Sequence, residues 1–339
     1  MEYEQTNVRA KCPVCGHEDN KRLWTVDARG AARHFVPSPQ AAERFEALTK
    51  HIESLWGTDH CEVVSCQACS FTFSSPYVAG DKKFYELAYE RSGYPSWKWE
   101  FEEALTELKR LSTADFRLLE VGAGNGAFIR RAIGTVAQGQ NILATEYSDY
   151  GRKQIESLGV RCLPVDLRQI RDEAYRESFD AICMFQVLEH LDDLPGLFNH
   201  VRLLLKKGGS CIAAVPNGER IAFNEKNGAL LDMPPNHIGR WSKKSFEVAA
   251  KRFQFTVASY GVEDFRLPSY FKQFVSYRVL RNAQKSGSIG SYVTGFRNKR
   301  ARSLFLQALA AMNAVTSLPY VPKMNRTLGD SQMVRYIKQ

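Results

Sequence analysis

The sequence predicts an α/β protein built on a doubly wound, mostly parallel sheet, with a small cysteine-bearing region ahead of it. Three observations carry this. From residue 116 onward, short apolar runs alternate with helical stretches. The segment "LLEVGAGNGAF" (118–128) places Gly122, Gly124 and Gly126 between the first apolar run and the first helix of that series. Two C-x-x-C pairs fall within residues 1–80. Strand–helix alternation sets successive strands parallel, joined by right-handed crossovers.

The totals are those of an ordinary globular chain: 339 residues, 44% hydrophobic and 24% charged, ample for a buried core. "MEYEQTNVRAK" has no apolar secretory core, and no apolar run reaches about 18 residues, so neither a leader nor a membrane span is expected. A cytoplasmic location follows. The net charge of +9 is uneven: residues 262–339 carry 13 Lys and Arg against Glu263, Asp264 and Asp330, a net +10, which leaves the rest near −1. A basic tail suits an anionic partner or a solvated basic face.

Taken in order, residues 1–80 hold five of the eight cysteines and little regular apolar pattern, with one helix over "AAERFEALTKHIESLW" (41–56). Residues 81–115 read as a helical lead-in, with Trp97, Phe101, Leu105, Leu108 and Leu111 near helical spacing. Residues 116–339 form the main domain. "FRLLEVG" is a strand and "AFIRRAIGTVA" a helix; "NILATEY" is a strand and "YGRKQIESLG" a helix stopped at Gly159. "VRCLPVD" is a short strand. "FDAICMF" is a fourth, followed by a helix over "LPGLFNHVRLLLKKGG". "SCIAAVP" is a fifth, terminated by Pro216. "WSKKSFEVAAKR" reads as a helix, and "FQFTVASYG" and "SQMVRYIK" as strands flanking a basic insert, about 262–330, that contains an amphipathic helix at "ARSLFLQALAAMNAV".

The glycine turn follows a strand and opens a helix, the setting in which such a loop lets a ligand approach the backbone. On its own it fits both a dinucleotide fingerprint and an S-adenosylmethionine (SAM) loop, E-x-G-x-G-x-G, beginning at Glu120. A carboxylate at Glu120 would repel a pyrophosphate, whereas the ammonium of SAM tolerates it. Glu146, at the end of the second strand, is placed to accept ribose hydroxyls of either cofactor. Asp166, after the third strand, meets an adenine amino group or caps the loop beside Pro164.

The later segment "FDAICMFQVLEHLDDLPGLFNHVRLLLKKGGSCIAAVPN" (179–217) resembles a class I SAM-dependent methyltransferase of the methyltransferase-23 type. The shared features are Asp180 in the fourth strand, the pair Glu189-His190 opening the next helix, the Lys207-Gly208-Gly209 turn and the strand end Pro216-Asn217. With the glycine turn, the resemblance spans about 116–260. It implies a seven-stranded Rossmann-like sheet in the order 3-2-1-4-5-7-6. It also implies a SAM site at Glu120, Gly122, Ala123, Gly124, Gly126, Glu146, Tyr147, Asp166, Gln186 and Val187.

The knuckles "CPVCG" and "CQAC" offer Cys12, Cys15, Cys66 and Cys69 as a tetrahedral zinc site with no open position, hence structural. Disulfides are disfavoured in a cytoplasmic chain. His60 and Cys61 are substitute ligands, and Cys162, Cys183 and Cys211 read as core thiols. The segment after the second knuckle resembles the link in bacterial methyltransferases that carry an N-terminal zinc-binding segment, a group that often acts in sugar, surface-polysaccharide or secondary metabolism.

Methyl transfer needs an aligned acceptor and, for a hydroxyl, a base. His237, in "MPPNHIGRW", and His190 are the candidates. A DNA amino acceptor would call for an Asn/Asp-Pro-Pro-aromatic motif after the fourth strand, which reads "MFQVLEH" instead, and a cytosine-C5 mechanism would need a cleft cysteine. Nucleic acid is therefore disfavoured. A small or glycan-type acceptor, anionic in some readings, suits the insert, where Tyr270, Phe271, Phe274, Tyr277, Arg278, Arg281, Arg297, Lys299, Arg300 and Arg302 mix rings with cations. So does peripheral docking on an anionic membrane; the alternative is that these rings cap the core. An RNA methyltransferase with a zinc segment, or a methyltransferase-like core that only binds, are the competing functions.

Overall fold

A computed structural model of the chain describes residues 6–36, 41–89, 97–229, 232–285, 287–294, 296 and 298–339. Arg297 lies outside the described residues.

The cysteine region is itself a sheet. Strands β1 (Asn7–Arg9) and β2 (Asp19–Asp27) lead to helices α1 (Ala28–Phe35) and α2 (Ala42–Trp56), then to β3 (His60–Cys66) and β4 (Thr72–Ser75). The expectation of little apolar pattern is corrected here. Trp24, Val26, Val63, Val64, Phe71 and Phe73 are all buried, because alternate residues of paired strands face α1 and α2 on one side and the main domain on the other. Helices α3 (Lys82–Ala88) and α4 (Trp99–Leu111) follow.

The main sheet begins with β5 (Leu118–Val121), α5 (Ala127–Ala132), β6 (Ile142–Thr145), α6 (Asp149–Glu156), β7 (Arg161–Leu163), β8 (Phe179–Phe185), α7 (Leu194–Leu204) and β9 (Leu205–Pro216). After α8 (Gly218–Lys226), β10 (Gly239–Arg240) and α9 (Lys243–Arg252), it closes with β11 (Phe255–Val262) and, beyond the basic insert, β12 (Ser331–Lys338). Its strands lie in the order β11-β12-β9-β8-β5-β6-β7. β5 to β9 pair in parallel, and β12 runs antiparallel between β9 and β11. The central strands are buried on both faces, as helix-covered parallel strands require.

Two boundaries differ from the sequence reading. Helix α5 stops at Ala132, because Gly134 takes a positive φ of 72° and turns the chain into a bridge between Ile133 and Ala137. Lys206, Lys207 and Gly208 belong to β9, not to the end of α7. The Lys206 ammonium binds both oxygens of Asp180 at 2.8 Å, which anchors this segment beside β8. The register then jumps from Phe179–Leu205 to Ala181–Ser210, so the Lys-Gly-Gly segment bulges out of the strand.

The first sheet is completed from afar. β10 pairs with β4, giving the order β1-β2-β3-β4-β10. The loop that carries His237 is thereby fastened to the cysteine region. Trp241, next in the chain, is 1% exposed, stacks on Phe246 and meets Phe71 edge-on. One apolar cluster joins Cys12, Cys69 and Phe71 to Phe198, Trp241 and Tyr336.

The basic insert forms α10 (Leu267–Gln284), α11 (Ile289–Thr294) and α12 (Lys299–Ser317). Tyr270 and Phe274 are buried against Ala229, Met324 and Leu328, so part of the aromatic set caps a core. Helix α12 is different: Leu304, Met312 and Val315 are each more than 60% exposed. With the turn after it, Arg300–Lys323 is long and apolar enough by composition to cross a membrane, at mean hydropathy 1.3 with 11% buried. Ser, Gln, Asn and Thr interrupt the apolar residues of this segment, so it reaches that length on average hydropathy and not as one apolar run.

Candidate active site

The glycine turn bridges β5 and α5 with Gly122, Gly124 and Gly126 at φ of 66°, 57° and 73°. Only glycine takes these values without strain. Space demands it as well, since a Cβ on Gly122 would come within 2.7 Å of Val187 Cγ2. Val187 thus closes over the turn from the end of β8. Ala123 is held by its N–H to the Thr145 carbonyl at 3.0 Å.

Glu146, after β6, receives the N–H of Gly124 on one oxygen (2.9 Å) and the N–H of Ser148 on the other (2.8 Å). A carboxylate has a further lone pair on each oxygen, so this acid can brace the turn and still accept a vicinal diol. Tyr147 beside it is 63% exposed. Asp166 is placed as a cap: it accepts the Arg168 N–H at 2.8 Å and pairs with the Arg168 guanidinium through both oxygens. Gln186 adopts a positive φ of 57° at the strand end, where its amide donates to Glu100 (3.1 Å) and Ser331 (3.3 Å).

Glu120 corrects the charge argument drawn from sequence. It is 2% exposed, and burial, with Glu146 adding repulsion, pushes its carboxyl well above the usual range. That shift weakens the repulsion of a pyrophosphate on which the sequence argument rests. Among the described residues no donor reaches its Oε2, a buried acceptor that an ammonium would satisfy.

Glu189 and His190 do not open α7; they sit in a short turn, Leu188–His190, ahead of it. Asp193 caps α7 by accepting the Gly196 N–H and so sets its start at Leu194. The turn brings His190 against His237, their rings edge-on with centroids 4.7 Å apart. His190 Nδ1 lies 2.7 Å from the Asn236 carbonyl, which only accepts, so Nδ1 carries the proton. Burial holds this ring's pKa down at about 3, so it is neutral. His237 Nδ1 contacts the Asp232 carboxylate. Burial works against a charged ring there, but Asp232, with Glu189 behind it, outweighs burial and raises His237 above its ordinary value. Glu189 is 1% exposed, and burial lifts its carboxyl to about 7.

Sequence reasoning missed Asp232, five residues before His237, and the Arg240 beneath it. Arg240 donates to the Asp232 carbonyl (3.2 Å) and pairs with buried Glu225 (2.8 Å), which also accepts from Trp24 of β2 (3.1 Å). The histidine loop is thus wired into the first sheet. The acid in "DMPPNH" was the available signal. A cleft of about 520 Å³ is lined by Trp97, Lys98, Arg220, Arg266, Tyr270 and Asp330.

Cys12, Cys15, Cys66 and Cys69 converge, with Sγ–Sγ separations of 3.6 Å (Cys12–Cys69) and 3.5 Å (Cys15–Cys66). Four sulfurs tetrahedrally placed at about 2.3 Å from one ion lie about 3.8 Å apart, so the set fits a closed metal site. Hydrogen bonding from Cys69 outweighs burial and lowers the Cys12 thiol to about 5. Both knuckles turn through a left-handed residue, Gly16 (φ 80°) in the first and Ser70 (φ 61°) in the second. The substitute ligands are set aside by the fold. The Cys61 thiol contacts the Glu62 carbonyl and its pKa rises to about 12 by burial, while His60 pairs with Asp59 at the surface.

Residues 96–260 match a protein family described as a methyltransferase domain. Over 135 residues the chain is 30% identical to a ubiquinone biosynthesis O-methyltransferase of Nitrobacter winogradskyi, a stretch covering 38% of this chain and 47% of that protein. The chain thus matches about half the length of this curated relative. It is similar to a SAM-dependent methyltransferase from Archaeoglobus fulgidus (15% identity, 70% of this chain and 94% of that one, TM-score 0.43). A phosphoethanolamine N-methyltransferase 2 of Haemonchus contortus in complex with SAM is also similar (17% identity, 72% and 56%, TM-score 0.41). The family match, laid over the glycine turn, supports a methyltransferase domain over residues 96–260.

Proposed function

We propose that this chain is a SAM-dependent methyltransferase acting on an oxygen of a small or glycan-type acceptor. The observation that carries the reading is the methyltransferase-domain match over residues 96–260, which contains the glycine turn, Glu146, His190 and His237. SAM, when bound, supplies an electrophilic methyl group. The chain's own residues do the rest. Glu146 accepts the ribose hydroxyls while bracing Gly124, and the buried oxygen of Glu120 accepts from the ammonium. Gly122, Ala123, Gly124 and Gly126 leave room for the backbone-side edge of the ligand, and Tyr147, Gln186 and Val187 border it. Asp166 keeps a free lone pair on Oδ2 for the adenine amino group, beside the bond it accepts there from Arg168. His237 takes the acceptor's proton through Nε2, and Asp232 stabilises the resulting imidazolium. The curated relative's name, an O-methyltransferase, favours oxygen as the acceptor atom.

The four thiols hold one structural zinc ion in this reading. That ion fixes the first sheet and, through β10, the histidine loop. We further place α12 on an anionic membrane surface: Leu304, Phe305, Met312 and Val315 are exposed on a helix opening with Arg300 and Arg302. Co-sedimentation with anionic but not neutral vesicles, weakened by salt, is the expected result; salt-independent absence of binding rejects it.

The catalytic reading is tested by incubating the full chain with methyl-labelled SAM and pools of sugars and nucleotide sugars, polar lipids, and RNA. Label in a sugar or lipid fraction supports the proposal. Label in RNA assigns the acceptor to nucleic acid, and no label anywhere with SAM still bound assigns a binding protein.

A further inference from the structure

The histidine cluster has a second capacity. Glu189, His190 and His237 each offer one ligand atom, and those atoms lie within 4.8 Å of one another. We propose that these three residues form a divalent-cation site of the two-histidine, one-carboxylate type, distinct from the four-thiol site. It would take a first-row ion such as Zn²⁺, Co²⁺ or Mn²⁺.

Three features argue for an ion. First, both rings are held by their outer nitrogens. His190 Nδ1 donates to the Asn236 carbonyl at 2.7 Å, and His237 Nδ1 is held by the Asp232 carboxylate. A histidine that ligates a metal through one nitrogen commonly donates the other to such an acceptor, which fixes the ring and its tautomer. That leaves each Nε2 for a ligand, and His190 Nε2 lies 3.8 Å from Glu189 Oε1. Second, Glu189 is 1% exposed and, among the described residues, neither of its oxygens has a hydrogen-bond partner. A buried carboxylate with both oxygens unmet is costly, and a cation between it and the two rings removes that cost. Third, the fit is close. Ligands about 2.0–2.2 Å from an ion lie about 3.0–3.5 Å from one another, so the present spacing contracts by about an ångström. Glu189 can make that movement without breaking a bond of its carboxylate.

Three ligands on one side leave coordination positions open. An oxygen-bearing molecule with adjacent hydroxyls suits them; on the methyltransferase reading above, with the cluster on the acceptor side of the cleft, an ion there orients the acceptor oxygen. In the ion-free cluster His237 remains the base; with an ion bound, its lone pair is committed to the metal.

The test is metal binding by the full, zinc-loaded chain, independent of methyl transfer. Cobalt is titrated into wild type, Glu189→Gln and His237→Gln, following visible absorption and metal content after desalting. The expected result is one additional cobalt ion per chain, removable by mild chelator, whose spectrum lacks the intense sulfur charge-transfer band of a thiolate site. Each variant should bind this ion at least tenfold more weakly and keep the wild-type thermal midpoint within a few degrees. Absence of a second ion overturns the proposal, as does cobalt binding unchanged in both variants. A chain that binds SAM but shows no second ion leaves the methyltransferase reading standing and removes this one alone.

Discussion

Glu146→Gln separates a cofactor-binding acid from a merely structural one. Glu146 receives the N–H groups of Gly124 and Ser148 at 2.9 and 2.8 Å, one on each oxygen, which leaves one lone pair per oxygen for the ribose. Glutamine keeps one acceptor oxygen and turns an NH₂ toward the other N–H and the other hydroxyl. One N–H loses its acceptor, with or without ligand, and this appears as reduced stability. In the complex the hydroxyls lose the carboxylate charge, and one must accept from the NH₂ in a weaker neutral bond, which appears in affinity. A hydrogen bond to a charged group contributes about 1.5–3 kcal/mol, so SAM should bind about ten- to a hundredfold more weakly. Calorimetry gives the dissociation constant, and thermal unfolding without ligand isolates the stability term. A dissociation constant within twofold of wild type, with a lowered thermal midpoint, would mean that Glu146 braces the turn and nothing else.

Further outcomes follow from the same geometry. His237→Gln should lower turnover about 10²–10⁴-fold, the range of a lost general base, with SAM affinity changed less than twofold; full turnover would discard the assignment. The activity should rise with pH along a limb above about 6.5, because Asp232 holds His237 above its ordinary value and only the neutral ring accepts a proton. Asp232→Asn leaves burial, which lowers the pKa, so that limb should move to lower pH, and a limb that stays in place contradicts the pairing. The same pair links to stability: the His237 share is present below about pH 6.5 and lost as pH rises through the raised value, whereas the Asp232 share is lost as acid passes its lowered one. Cys66→Ser should release the zinc and lower the thermal midpoint by about 5–15 °C, given the several kcal/mol that structural zinc contributes; a variant that retains both zinc and midpoint shows that Cys66 is no ligand.

The main sheet was legible because its strands announce themselves. Phe179–Phe185 and Leu118–Val121 are apolar runs broken by one acid each, and Ser331–Lys338 is an apolar-rich stretch that pairs antiparallel with β9. The glycine turn and the cysteine knuckles were legible by residue type, since a positive φ and a thiolate cluster are chemical demands that few residues meet. What stayed hidden depends on tertiary partners. Trp24 and Val26 in "KRLWTVD" look scattered until α1 and α2 cover them. Helix α10 was overlooked because its apolar residues point to several sides, Tyr270 and Phe274 toward one core and Leu280 toward solvent. No local pattern says that Arg240 reaches β4 and supports Asp232. Burial also shifts Glu120 toward its neutral form, whereas the sequence reading took it as ionised.

The central claim is that the turn at Gly122–Gly126 holds SAM. Calorimetry of the purified chain with SAM and, separately, with a nicotinamide dinucleotide tests it most directly. The account predicts one SAM per chain, weakened in Glu146→Gln, and no dinucleotide binding. Binding of the dinucleotide without SAM would contradict it.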